Sequence, residues 1–188
     1  MPLRLLLPLL LALGLAVVTV SLDSGAVGTP ADLRLVVARA ASADEGAGPW
    51  PIASALEEEL FRLTNEARER YGLARVQPDT QLLDVARVRA ADQAPDARLS
   101  HYDARGQVAF SRLIERIGLP YALAGENLAR VPGPQPTAAR RAGDALMQSP
   151  SHRANILEPS FDRLAVGTTV DSAGHFVFAQ IFRAAGTP

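Results

Sequence analysis

The chain has no cysteine and no lysine, and only 5% of its residues are aromatic. Without cysteine there are no disulfides, no thiolate metal ligands and no thiol nucleophile. Stability is therefore expected to come from core packing alone. Without lysine, Schiff-base and lysine-nucleophile chemistry is excluded too. The 19 basic residues are all arginines, scattered along the chain and balanced by 20 acidic residues to a net charge of −1. Such a balance leaves no basic footprint for nucleic acid. A glycine-rich phosphate loop, an HExxH pair and a calcium-loop pattern are also missing. Histidine is scarce: His101, His152 and His175, with carboxylates, are the metal ligands of note.

What is present starts with an apolar run. Leu5 to Val20 carries no charge and follows Arg4, a pattern that marks an export signal or a single membrane anchor. Residues 1–28 are expected to be one or the other, with Ala26 and Gly28 as small residues near a cleavage point. The rest would then lie outside the cytoplasm, secreted or anchored, touching membrane only through this segment. Residues 29–50, rich in Ala, Gly, Asp and Pro, read as a flexible linker. Residues 51–188 suffice for one packed domain.

Hydrophobic spacing predicts the elements of that domain. Ile52, Leu56, Leu60, Leu63 and Ala67 recur at helical intervals, with Pro51 suited to a first turn and Gly72 to an end. The run Glu57-Glu58-Glu59 reads as a solvated helix face. A second helix spans about 79–94, on a stripe that includes Leu82, Val85, Ala86, Arg89, Ala90 and Gln93, and a third spans about 108–117. "AGENLA" reads as a helical turn or less, and Thr137 as the cap of a helix running to about Gln148. "RLAVGTTV" and "HFVFAQIF" then alternate as two strands around "DSAG". Phe176 and Phe178 face one side, Val177, Ala179 and Ile181 the other. A strand apolar on both faces needs cover on both. The expectation is an α/β fold, an α-β-α sandwich with a mainly antiparallel sheet between helical layers, and at least one further strand in the middle of the chain.

Three residues stand out chemically. Glu126 lies in an apolar setting where an unpartnered carboxylate would be costly, and Asn127 and Asn155 are available to orient it. His101 follows Ser100 in a polar loop, and His152 follows Ser149-Pro150-Ser151. If folding converges His101, Glu126 and His152, they would make a three-ligand site for a divalent ion, or a base with a carboxylate orienter. His175 reads as a turn residue. The serines beside the histidines lack a nucleophile elbow.

Four stretches, in order, resemble the CAP superfamily (the SCP-like, cysteine-rich secretory, antigen 5 and pathogenesis-related 1 domains), in its cysteine-free bacterial branch. They are "LTNEARERYGL" with "DTQLLDVARVRAADQ", "LSHYDARG" with "FSRLIERIGL", "AGENLA", and "LMQSPSHRANILEPSFDRLAVGTTV" with "FVFAQIF". The resemblance implies the same sandwich with a cleft lined by His101, Glu126 and His152, supported by Asn127, Asn155 and Ser149. The family's second glutamate has no counterpart; Ser149 lies nearest its place. Zinc or another divalent cation, weakly bound, is the implied cofactor. A small ligand, a lipid or a cell-envelope component is the implied partner. No common reaction is implied, so three readings stay open: a binding module without turnover, a metal-assisted hydrolase of peptide, ester or cell-wall material, and a structural module.

Overall fold

The computed structural model describes residues 54–185. The expected signal or anchor, the linker and the Pro51 turn lie outside them. Among the described residues five helices surround a four-stranded sheet: α1 (Ala55–Arg70), β1 (Gln77–Pro78), α2 (Thr80–Gln93), α3 (Ala109–Arg116), β2 (Tyr121–Val131), α4 (Gln135–Gln148), α5 (Pro150–Ile156), β3 (Arg163–Val170) and β4 (Phe176–Ala185). Strand order is β1-β3-β4-β2. The pairs β3/β4 and β2/β4 are antiparallel, and the two-residue β1 runs parallel to β3. None of the described helices is long and apolar enough to cross a membrane.

The sheet is covered on both faces, as the two-sided apolar pattern of β4 demands. Phe178 and Phe182 join Leu60, Ala142, Leu146 and Ile156 in the core under α1, α4 and α5. Ile181 joins Leu82, Val85, Phe110 and Ile114 in the core under α2 and α3. Helix α2 lies directly on β3 because Gly167 has no side chain. A Cβ there would sit 2.2 Å from the carbonyl carbon of Ala86.

Local signals differ from expectation at three places. "AGENLA" is the middle of β2, paired residue for residue with β4. Its glycine and alanines carry little intrinsic strand preference, so the pairing and burial decide. Thr137 does not cap α4. Pro134 takes that position, and the Thr137 hydroxyl donates to its carbonyl at 3.2 Å from within the first turn. Glu57 is buried rather than solvated. It forms a capping box with Ser54, accepts the Arg87 guanidinium at 2.7 Å and accepts the amide of Thr168 at 3.1 Å. One carboxylate thus ties α1, α2 and β3 together.

Packing is also not the sole source of order. Arg68, buried, donates to the carbonyls of Ala74, Ile156, Glu158 and Phe161. It thereby satisfies acceptors at and beyond the end of α5 that the helix leaves open. Arg183 of β4 grips Asp79, the α2 N-cap, at 2.6 and 2.9 Å. The arginine-only composition supplies planar, multidentate donors where lysine would offer a point charge.

Substituting Gly167→Ala should force the α2 backbone off the sheet and cost about 2–3 kcal/mol. Gly143→Ala, where the new methyl meets Leu60 and Leu63 at 3.5–3.6 Å, should instead stabilise by about 0.5–1 kcal/mol through helix propensity. Urea unfolding of the two variants against the parent chain distinguishes these opposite signs.

Candidate functional site

The site assembles around the edge strand β2. Residues along a strand alternate between faces, so the register that pairs Glu126 with Ile181 turns Glu126 towards α2. Gly125 and Asn127 turn the other way, towards α5. A side chain at 125 would meet the Phe161 ring at 3.0 Å, and that ring stacks on Phe182 with centroids 5.3 Å apart. The glycine of "GEN" makes room for the ring.

Glu126 is fully engaged. The Arg89 Nε donates to its Oε1 at 2.7 Å and Nη2 to its Oε2 at 3.3 Å. His101 Nδ1 lies 2.7 Å from Oε2. Arg89 also donates to the Ser100 carbonyl at 2.7 Å, and the Ser100 amide donates to Gln93 Oε1 at 2.6 Å. The loop carrying His101 is therefore fastened to α2 beside the histidine's own contact. A carboxylate can only accept, so Nδ1 of His101 is the donor, and in the neutral ring Nε2 is the nitrogen that keeps its lone pair.

His152 enters from α5, whose first turn is opened by Ser149 and Pro150. Its main-chain carbonyl accepts from Asn127 Nδ2 at 3.0 Å. Asn155, one turn on, donates to the Asn127 Oδ1 at 2.9 Å and to the Glu126 carbonyl at 3.2 Å. Asn127 also donates to Gln180 Oε1 at 3.0 Å. The imidazole of His152 is half-buried, and no side chain among the described residues hydrogen-bonds it. Burial lowers its pKa below the ordinary value, and the charge of nearby His101 lowers it further.

The structure thus joins Glu126 to His101 directly and brings His152 within electrostatic reach of His101. Asn127 and Asn155 do not touch the Glu126 carboxylate as expected. They fix β2 to α5 through main-chain atoms, while Arg89 does the orienting. The Ser149 hydroxyl bonds only that of Ser151, at 3.3 Å. His175 closes the β3–β4 turn against Asp171 at 3.2 Å. No cluster of three or more metal-ligating side chains exists among the described residues, and both Glu126 oxygens are occupied.

This fold has counterparts in known proteins. The profile of the cysteine-rich secretory protein (CAP) family matches residues 61–182, and the chain belongs to that family. It is 32% identical over 114 residues to the uncharacterized protein YkwD of Bacillus subtilis, covering 61% of this chain and 42% of that protein. An extracellular SCP-domain protein from Bacillus anthracis superposes with a TM-score of 0.58 at 27% identity, over 71% of this chain and 41% of that one. The chain spans about two fifths of the length of both relatives. An outer surface protein from Borrelia burgdorferi shares the fold with a TM-score of 0.58 at 20% identity, over 71% of this chain and 97% of that one. More distant structures of this fold include NaASP2 with zinc and manganese-bound Ac-ASP-7, both with a TM-score of 0.50.

Two measurements check the site. In an NMR titration His152 should show a midpoint below about 6.5, and His101→Ala should raise it only part of the way, since burial is the larger cause. The unfolded chain accepts this proton more readily than the folded one. His152 therefore contributes stability that is complete above pH ~6.5 and is lost as the pH falls below it. Glu126→Gln removes the anion that Arg89 needs while leaving the guanidinium buried, and should cost about 3 kcal/mol in urea unfolding.

Proposed function

We propose that the chain is an extracytoplasmic CAP-domain module whose cleft, lined by His101 and His152, takes up a small ligand or a divalent cation without turnover. The observation that carries this reading is the Arg89–Glu126–His101 arrangement. It selects the tautomer of one neutral imidazole that places the lone pair on Nε2, with a second imidazole nearby whose pKa burial lowers. Two neutral nitrogen donors with no anionic ligand would hold a cation loosely. Glu126 would act through His101 by fixing its tautomer and ring orientation, as carboxylates behind metal-bound histidines do. A bound cation would supply Lewis acidity at that point of the cleft.

The serines beside the histidines are not placed as nucleophiles. The Ser100 hydroxyl donates to the Tyr102 carbonyl and Ser149 pairs with Ser151, so neither serine is hydrogen-bonded to a base as nucleophile activation requires. Extracytoplasmic placement rests on the apolar N-terminal run and on relatives described as extracellular and outer-surface proteins.

Calorimetric titration of zinc into the full chain, with elemental analysis, tests the proposal. Binding near pH 7.5 should be weak, should disappear in His101→Ala and in His152→Ala, and should decline as the pH drops below about 6.5, where protons compete for imidazole. Undiminished binding in the double variant would move the site elsewhere. Turnover of a peptide, ester or cell-wall substrate that vanishes in His152→Ala would replace the reading with a hydrolase.

A further inference from the structure

Three residues on one face of β2 meet one stretch of chain in step. Glu126, Leu128 and Arg130 alternate onto the α2 side of the sheet. Glu126 meets His101 at 2.7 Å. Leu128 shares a small core cluster with Ala90 and Ala179, against which Leu99 packs. Arg130 Nη1 donates to the Ala97 carbonyl at 3.2 Å. Strand positions 126, 128 and 130 therefore take loop positions 101, 99 and 97, two residues forward on the strand for two residues back in the loop. His101 ends a segment laid along β2, and where its ring sits depends on the register of the whole segment.

Arg130 fixes the far end of that register. Its Nη2 donates to the Gln93 carbonyl at 2.5 Å, at the C-terminus of α2, where positive charge is favoured. One guanidinium thus ties both the end of α2 and the loop beyond it to the strand, as Arg89 does at the near end through Ser100. Arg130 is held in turn. Its Nε lies 3.2 Å from Asp171 Oδ2, an ion pair without hydrogen-bond alignment. Asp171 accepts the amides of Ala173 and His175 on Oδ1, both at 2.9 Å, and faces His175 Nδ1 at 3.2 Å through Oδ2. The β3–β4 turn is therefore the anchor behind the clamp. Spanning two carbonyls while facing a carboxylate takes several donors in one plane, which a lysine ammonium does not offer.

We propose that Arg130 is a positioning residue for His101: backed by Asp171, it sets the register of residues 97–101 along β2 and so holds the His101 ring on Glu126. The consequence for ligand uptake rests on the cleft reading above, whereas the consequence for the ring does not. Deleting a positive charge would by itself strengthen the binding of a cation, so weaker binding in a variant lacking Arg130 reports lost placement.

The full chain and its Arg130→Ala variant are compared near pH 7.5, above the ordinary histidine pKa, by ring-nitrogen shifts of His101, amide hydrogen exchange and zinc calorimetry. In the parent chain His101 should show the neutral tautomer protonated at Nδ1. In Arg130→Ala it should drift to a mixture of tautomers, because the hydrogen bond that selects one is loosened. The Ser100 amide, bonded to Gln93 Oε1 at 2.6 Å, should exchange about tenfold faster while β4 amides keep their protection. Zinc should bind about tenfold more weakly, the usual loss when an outer partner of a ligating histidine is disturbed. Arg130→Lys, which keeps a cation for Asp171 but cannot span both carbonyls, should fall between the two and carries the test if the alanine variant does not fold. A His101 ring and Ser100 amide unchanged in both variants would overturn the proposal. So would exchange that quickens equally in β4 and α4, the mark of general loosening, or zinc binding that tightens in Arg130→Ala. A parent chain that binds no zinc would sink the cleft reading, and the ring and amide readouts would still decide the role of Arg130.

Discussion

Glu126 and Arg89 are both almost fully sequestered, and the 2.7 Å contact between them is the constraint from which the site follows. A carboxylate on an edge strand inside an apolar layer must find a cation, and a guanidinium in the apolar stripe of α2 must find an anion. Neither can be placed without the other. The pair adds little net stability compared with apolar residues of the same volume. Its contribution is geometric, because Arg89 has donors to spare and directs one to the Ser100 carbonyl. The histidine loop is therefore located by the same group that locates the carboxylate, and His101 meets Glu126 without a separate device to aim it.

Strand alternation then divides the work of three consecutive residues. Glu126 points towards α2 and the imidazole of His101. Gly125 and Asn127 point away, where one admits the Phe161 ring and the other anchors α5 through the His152 carbonyl. The polar chain from Asn155 through Asn127 and Gln180 to Thr64 runs through the covered side of the sheet, each link between 2.6 and 3.0 Å. His152 is thus set in place by main-chain contacts, which leave its ring without a side-chain hydrogen bond among the described residues.

The layering was readable from local pattern. Helical spacing marks α1 and α2, and the two-sided apolar run of β4 demands helices above and below. Strand β2 was not readable, because "AGENLA" owes its conformation to its partner β4 rather than to its own residues. Glu57 was hidden for a similar reason, since one glutamate in a run of three looks no different from its neighbours until α2 and β3 arrive beside it. At the site, Glu126 stood out by its apolar setting and the histidines by their scarcity, while their association rested on the family resemblance and not on spacing. Arg89 carried a signal that went unused: an arginine in line with Leu82, Val85 and Ala86 must be buried, and a buried guanidinium implies a buried anion elsewhere in the chain.

The borders of the sheet have a consequence of their own. A lone border strand offers its amides and carbonyls to any neighbouring polypeptide. One border here is β1, only two residues long, too brief to template anything. The other is β2, which has 11 residues, and α5 guards it by taking the outward carbonyl of Glu126 through Asn155. The short helix that presents His152 is therefore also a seal. Without that contact β2, the longest strand among the described residues, would offer one more open carbonyl to chain-to-chain pairing.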